Sequence, residues 1–209
     1  IDFETAVQRL MLWDEYGSIG KDHVFGRLCK TYHLDEEWEK KLTEHWVQYF
    51  GDYTRPFPES RATLEKLKNK YRLGLLTNGY PHMQRKKIEL CGCEDLFEAI
   101  VVSGEYGIHK PDPAIFKVAC DKMGVLPEEV IFVGDTFSTD IYGAVLSGMK
   151  TVFLHSDILH KTKLDMPVIH SIEELSTKEF YKEDEFRYAT AKQMCYAVNA
   201  VDASTLYYG

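Results

Sequence analysis

Short apolar runs alternate with longer amphipathic stretches over most of the chain beyond residue 60. The apolar runs are four or five residues long and rich in Val, Ile and Leu, as is typical of strands buried in a parallel sheet. They predict strands at 73–76, 99–103, 130–133 and 151–154. The stretches between them have helical periodicity and predict helices at 61–70, 83–90, 113–123 and 140–147. This alternation predicts an α/β fold built on a doubly wound parallel sheet.

A different pattern precedes this region. Three helical stretches are predicted at 3–16, 21–32 and 36–50, and a turn-rich segment at 50–59 follows them. The first stretch carries Trp13 and the third carries Trp38 and Trp46, and the helical spacing favours core positions for all three. We therefore expect a small helical domain at residues 1–54, an α/β core at 55–180 and a C-terminal extension at 181–209.

The strand predicted at 130–133 ends in an acidic segment. Asp135 follows it directly after Gly134, and Asp140 comes five residues later with no basic residue between the two acids. Ligands of open α/β sheets bind at the carboxyl ends of the strands, and two carboxylates there suit a hard cation such as Mg²⁺. A plain strand end followed by a helix cap is the alternative interpretation.

Two further polar residues favour the functional interpretation. The strand predicted at 73–76 is followed by Thr77, and Lys110 lies in a loop immediately before Pro111. A hydroxyl, a fixed cation and a metal ligand could together neutralise the oxygens of a transferring phosphoryl group.

Three segments carry a resemblance to a known family. Leu-Leu-Thr77-Asn78-Gly79, then Lys110-Pro-Asp-Pro-Ala-Ile-Phe, then Val-Gly-Asp135-Thr-Phe-Ser-Thr-Asp140 resemble the second, third and fourth motifs of the haloacid dehalogenase-like (HAD) hydrolases. The resemblance covers residues 56–180 and is closest to the phosphatase branch. The dehalogenase branch is less similar, because it lacks this Gly-Asp metal motif.

The resemblance implies a fold and a set of roles. It implies a HAD-like, Rossmann-type core with a small α-helical cap. Thr77, Asn78 and Gly79 would bind the phosphoryl group, and Lys110 would offset its charge. Asp135 would hold Mg²⁺, while Asp140 would be a further ligand or would orient Lys110. In this family an aspartate attacks phosphorus, and water then hydrolyses the aspartyl-phosphate.

The family's nucleophile belongs to a first motif, Asp-x-Asp-x-Thr, that is not in its usual place. The chain opens Ile1-Asp2-Phe3-Glu4-Thr5, in which no apolar strand precedes Asp2 and Thr5 comes one position early. An apolar run at 194–201 ends before Asp202, but Ser204 stands where a second acid is wanted. One hypothesis is a circular permutation, in which this run pairs with the strand ending at Val133 and Asp202 is the nucleophile. The alternative is a C-terminal extension without that role.

Composition and charge restrict the classes of partner that the chain can bind. The chain has 209 residues, 44% hydrophobic residues and a net charge of −8, which argues against a general nucleic-acid or anionic-membrane binder. No apolar run approaches the roughly 18 residues of a membrane span. Five cysteines with scattered spacing favour reduced thiols and a cytoplasmic location. The Cys91-Gly-Cys93 segment is interpreted as a helix end with a glycine stop.

The sequence thus predicts a Mg²⁺-dependent phosphomonoester hydrolase for a small phosphorylated metabolite, either a nucleotide, a sugar phosphate or phosphoglycolate. The alternative is a HAD-fold binding protein without turnover, because the nucleophile motif is degenerate. His109, next to Lys110, is a candidate substrate contact. Neither the identity of the substrate nor the oligomeric state is predicted.

Overall fold

The computed structural model describes residues 2–14, 19–155, 166–181 and 195–198. Contacts between Cα atoms divide the chain into two units, with the boundary between Thr54 and Arg55. The first unit contains three helices, which are α1 (Phe3–Asp14), α2 (Lys21–Tyr32) and α3 (Glu36–Tyr49). None of the helices in the described part of the chain is long and apolar enough to cross a membrane.

The second unit alternates helices and strands. In chain order these are α4 (Ser60–Lys68), β1 (Arg72–Thr77), α5 (Pro81–Cys91), β2 (Ala99–Val102), α6 (Pro113–Met123), β3 (Val130–Gly134), α7 (Tyr142–Leu146), β4 (Lys150–Leu154), β5 (Val168–Ile169), α8 (Glu174–Thr177) and β6 (Cys195–Val198). Helix α5 ends at Cys91, and Gly92 follows with a positive φ of 62°, as the glycine stop predicted.

The strands form one parallel sheet in the order β2-β1-β6-β3-β4-β5. Strand β6 follows all the others in the chain and yet lies between β1 and β3. Ala197 is in register with Gly74 on one side and with Phe132 on the other. The pairing with β3 that the sequence predicted is therefore present for Cys195–Val198.

Side chains of β3 alternate between two apolar layers. Ile131 and Val133 belong to a buried cluster with Leu64 and Leu67 of α4 and Leu175 of α8. Val130 and Phe132 pack instead with Ile115 and Phe116 of α6 and Ala144 of α7. Because successive side chains of a strand point to opposite faces, the helices cover both faces of the sheet. The α/β, doubly wound architecture predicted from the sequence is confirmed.

The tryptophans of the helical unit agree only in part with the prediction, since Trp13 and Trp46 are partly buried and Trp38 is exposed. Trp38 is 48% exposed and lies beneath Lys41, whose Nζ is 5.5 Å from the ring centroid. The expectation of a core position is therefore wrong for Trp38. Trp13 is partly buried and lies under the guanidinium of Arg27, at 4.6 Å. Cations stacked on the rings thus cover aromatic surface that the spacing alone assigned to a core.

The helix predicted at 140–147 also differs. The chain first forms a single π-helical turn at Phe137–Ile141, and only then the short helix α7. The wide turn is closed by a bond from the backbone N–H of Ile141 to the carbonyl of Thr136, at 3.4 Å. It leaves room for the side chain of Asp140 to turn back towards the end of β3.

Candidate active site

Two of the predicted site residues stand at the carboxyl ends of the strands that flank β6. Thr77 is the last residue of β1 and is buried, and Asp135 directly follows β3 and is half-buried. Because all strands are parallel, these ends share one edge of the sheet. A ligand bound at this edge would lie where open α/β sheets place their ligands.

Lys110 reaches this edge from the loop before α6. Its Nζ lies 2.6 Å from Oδ1 of Asp140 and 3.4 Å from the carbonyl oxygen of Leu76 near the end of β1. Both charged side chains are 1% exposed. A buried ion pair with this geometry fixes the position of the ammonium group, which a surface lysine cannot achieve because of its rotamer freedom.

Asp140 also accepts hydrogen bonds from the backbone. Its Oδ2 accepts hydrogen bonds from the backbone N–H groups of Asp135 and Thr136, both at 3.2 Å. Burial opposes ionisation, but the charge of Lys110 and these hydrogen bonds outweigh it, so the pKa of Asp140 lies below its usual value. One ionised carboxylate thus connects Lys110 to the segment that carries Asp135.

Gly134 makes this arrangement sterically possible. A Cβ atom at this position would lie 2.3 Å from the Cβ of Asp140, a distance that real Cβ atoms do not reach. The Gly-Asp pair found in the sequence is therefore a packing requirement, because only a residue without a side chain lets Asp140 approach the end of β3.

The side chain of Asn78 joins the loop after β1 to the Lys110 segment. Its Nδ2 donates to the carbonyl of Lys110 at 3.0 Å, and its Oδ1 accepts from the backbone N–H of Lys110 at 2.9 Å. This pair of bonds fixes the backbone from which the lysine extends. The sequence indicated a phosphoryl contact for Asn78 but gave no sign of this additional structural role.

Two residues at this edge were missed in the sequence. Ser103 directly follows β2 and is fully buried, and its Oγ accepts the backbone N–H of Gly79 at 3.1 Å. The same Oγ lies 2.7 Å from Nδ1 of His109. Gln84 of α5 donates through Nε2 to the carbonyl of Asn78. A polar residue after an apolar run was the available signal for Ser103, whereas Gln84 lies within a helix and offered none.

Asp2 and Asp202 are the two candidate nucleophiles. Asp2 caps the start of α1, because its Oδ2 accepts the backbone N–H of Thr5 at 3.2 Å. The hydrogen bonds from Thr5 lower the pKa of this exposed carboxyl. Asp202 lies outside the described residues.

A Mg²⁺ site at Asp135 agrees with the chemistry of the side chain. Asp135 offers carboxylate oxygens, which are the ligands Mg²⁺ prefers. The oxygens of Asp140 already accept bonds from Lys110 and from two backbone N–H groups. Within residues 2–14, 19–155 and 166–181, no three His, Cys, Asp or Glu side chains converge on one point. A cation held by Asp135 would take its other ligands from water, substrate or the remaining part of the chain.

Comparisons with known proteins agree with this geometry. The model of the haloacid dehalogenase-like hydrolase family matches residues 4–148. A glyceraldehyde 3-phosphate phosphatase of Pyrococcus furiosus is 40% identical over 159 residues, which cover 73% of this chain and 65% of the relative. An N-acylneuraminate-9-phosphatase of Rattus norvegicus is 48% identical over 96 residues, which cover 46% of this chain and 39% of that relative. The chain thus spans less than two thirds of either enzyme.

A solved structure supports the fold. The HAD hydrolase YfnB from Bacillus subtilis, in a magnesium-bound form, superimposes with a TM-score of 0.69 and 24% identity, covering 83% of this chain and 79% of its own. The family model matches well over half of the residues and includes the segments that carry Thr77, Lys110 and Asp135. The chain therefore belongs to the haloacid dehalogenase-like hydrolases.

Proposed function

We propose that the chain is a Mg²⁺-dependent phosphomonoester hydrolase that acts on a small phosphorylated metabolite. The observation that carries this proposal is the buried Lys110–Asp140 pair beside Asp135 at the carboxyl edge of the sheet. A fixed cation and a neighbouring carboxylate are what phosphoryl transfer requires, since its catalysis is mainly positioning and charge stabilisation.

Each residue has a distinct role in this proposal. Thr77 and the backbone N–H of Asn78 bind phosphoryl oxygens, and Lys110 offsets the charge of the phosphate and the nucleophile. Gly79 belongs to the same segment, but its N–H donates to Ser103. Asp135 holds Mg²⁺, which would polarise the phosphoryl group when bound. Asp140 orients Lys110 and the Asp135 backbone. Its existing hydrogen bonds favour this role over that of a further metal ligand.

We further propose that Asp202 supplies the nucleophile. Strand β6 runs parallel to β1 and β3 and lies between them, so that its carboxyl end faces the edge where Thr77 and Asp135 stand. Asp202 follows Val198 by four residues. A family-type first motif would be expected beside these two strands, and the circular-permutation hypothesis explains why it follows the other motifs in this chain.

The helical unit is proposed to act as a cap that contributes to substrate choice. The relatives named above act on phosphate esters as different as glyceraldehyde 3-phosphate and N-acylneuraminate 9-phosphate. Nucleotides, sugar phosphates and phosphoglycolate therefore all remain candidates. Cys29, Cys91, Cys93 and Cys120 are free thiols, which supports the proposed cytoplasmic location.

Phosphate release from a panel of nucleotides, sugar phosphates and phosphoglycolate, with and without Mg²⁺, tests the proposal. Release should require Mg²⁺ and should be lost in Asp202→Asn, while Asp2→Asn serves as the matched control and should remain active. Absence of release from every ester would contradict the hydrolase. Mg²⁺-dependent binding of the same esters would then favour a binding protein.

A further inference from the structure

The loop that supplies Lys110 is held at two successive residues. Lys110 exchanges two hydrogen bonds with the side chain of Asn78, and His109 is bonded through Nδ1 to Ser103. Ser103 in turn accepts the backbone N–H of Gly79, at the end of the proposed phosphate-binding segment. Thus His109 lies close to that segment, although its side chain is exposed while that of Lys110 is buried.

The hydrogen bonds of Ser103 determine which ring nitrogen of His109 carries the proton. The Oγ atom already accepts from Gly79, and its own proton needs an acceptor because Ser103 is fully buried. Nδ1 of His109 lies at 2.7 Å, and we assign the Ser103 proton to it on this ground. In the neutral imidazole the proton is then on Nε2, on the opposite side of the ring from Ser103.

An oriented, exposed N–H group next to a phosphate-binding segment has a chemical consequence. It can donate to an oxygen of the organic part of the ester, whereas Thr77 and Lys110 serve the phosphoryl group. We infer that His109 is a specificity-determining residue whose Nε2–H binds a hydroxyl or carbonyl oxygen close to the ester carbon. The inference rests on the proposed function, because it assumes that a phosphate ester binds at this edge.

Binding of two matched ligands tests this inference. Glycerol 1-phosphate and propyl phosphate have the same number of carbons, but only the first carries hydroxyl groups beside the ester. Calorimetry without Mg²⁺ should show that the parent chain prefers glycerol 1-phosphate by about tenfold, which corresponds to one added hydrogen bond. Binding is measured, so the result does not depend on turnover.

Two substitutions separate the substrate contact from the loop contact. His109→Asn keeps a polar atom near the position of Nδ1 and loses the outward donor, so the preference should fall to about one. His109→Gln places an amide N–H near the position of Nε2 and should retain part of the preference. His170→Asn, which changes an exposed histidine bonded to the carbonyl of His155, is the control and should keep the parent ratio.

The possible results are distinct. Equal affinity of the parent for both ligands, or an unchanged preference in His109→Asn, would overturn the role of His109 and leave the proposed hydrolase intact. No binding of either ligand by the parent would overturn both the phosphate site and the inference. Mg²⁺-dependent phosphate release from propyl phosphate is the independent test of the hydrolase.

Discussion

Nζ of Lys110 lies 2.6 Å from Oδ1 of Asp140, and less than a fiftieth of either side chain is accessible to solvent. The two residues come from different loops, thirty positions apart. The pair therefore links the loop before α6 to the turn after β3. Its two charges depend on each other, because either one alone would be buried without its counter-charge.

Loss of one charge of this pair should destabilise the fold. Asp140→Asn retains the size of the side chain but leaves the ammonium of Lys110 without its counter-charge. We expect a loss of about 3 kcal/mol in the free energy of unfolding. Urea unfolding followed by circular dichroism measures this loss.

The control is Asp121→Asn, which removes the acid of an exposed pair with Lys117 and should change the free energy of unfolding by less than about 0.5 kcal/mol. Equal midpoints for both variants would contradict a buried pair.

The Asp140 carboxylate should make the free energy of unfolding depend on pH in acidic solution. The pKa of Asp140 in the folded protein lies below the value of 3.8 expected for the unfolded chain. The stabilisation from Asp140 is therefore complete above pH 3.8 and is lost as the pH falls towards the folded pKa. The advantage of the parent over Asp140→Asn should be constant between about pH 7 and pH 5 and should shrink below about pH 4. Urea midpoints across this range provide the test, and a constant advantage down to pH 3 would count against it.

Asp135 should carry the affinity for Mg²⁺. Asp135→Asn exchanges an anionic oxygen ligand for a neutral one, and we expect the dissociation constant to rise by about tenfold or more. Titration calorimetry with MgCl₂ measures the change. Asp112→Asn is a suitable control, because the Asp112 carboxylate caps α6 by accepting the backbone N–H of Ala114. If Asp135→Asn and the parent bind Mg²⁺ equally, the assignment is wrong.

Lys110 should be needed for turnover beyond its role in stability. In a chain that releases phosphate, Lys110→Ala should reduce the rate by about 10²-fold, because one preorganised charge is lost. This variant also leaves the buried Asp140 without its counter-charge.

The double variant Lys110→Ala, Asp140→Ala resolves the two effects. Removing both charges should restore stability relative to either single variant, while the rate should stay low. Recovery of the rate together with stability would show that Lys110 is only a structural residue.

Strand β6 should tolerate proline less well than an edge strand. Ala99 in β2 and Ala197 in β6 are both in register with Gly74. The backbone N–H of Glu98 donates to the carbonyl of Leu73 in β1. Because the direction of the N–H groups alternates along a strand, the N–H of Ala99 points away from β1. Ala197 has a neighbouring strand on each side. Ala197→Pro should therefore cost about 1–3 kcal/mol more than Ala99→Pro. Equal urea midpoints would argue against a central β6.

The sequence was most informative where pattern and chemistry coincided. Apolar runs located β1, β2, β3 and β4, and polar residues at their ends led to Thr77 and Asp135. The two-residue strand β5 was missed, because Val168 and Ile169 are too few to show any periodicity. The π-helical turn was missed as well, since it depends on backbone bonds to Asp140 that only the folded chain reveals.

The contacts between residues of the site were less predictable than the residues that belong to it. The sequence left open whether Asp140 would ligate metal or orient Lys110, since either role suits an acid five residues after Asp135. The distances show that it binds the lysine and two backbone amides. The contact of Asn78 with Lys110 connects two different loops, and the contact of Ser103 with His109 lies within the connection between β2 and α6. Neither contact follows from a periodic pattern along the chain.

The late position of β6 in the chain bears on how the protein is made. Among the described strands, only β6 connects the β2-β1 half of the sheet to the β3-β4-β5 half. Until a ribosome has released residues 195–198, β1 and β3 each present an open edge. Those edges can accept the same segment from a second nascent copy, which would exchange strands between molecules. Synthesis at low local concentration, or with a chaperone that covers the two edges, should therefore favour pairing of β6 within its own molecule.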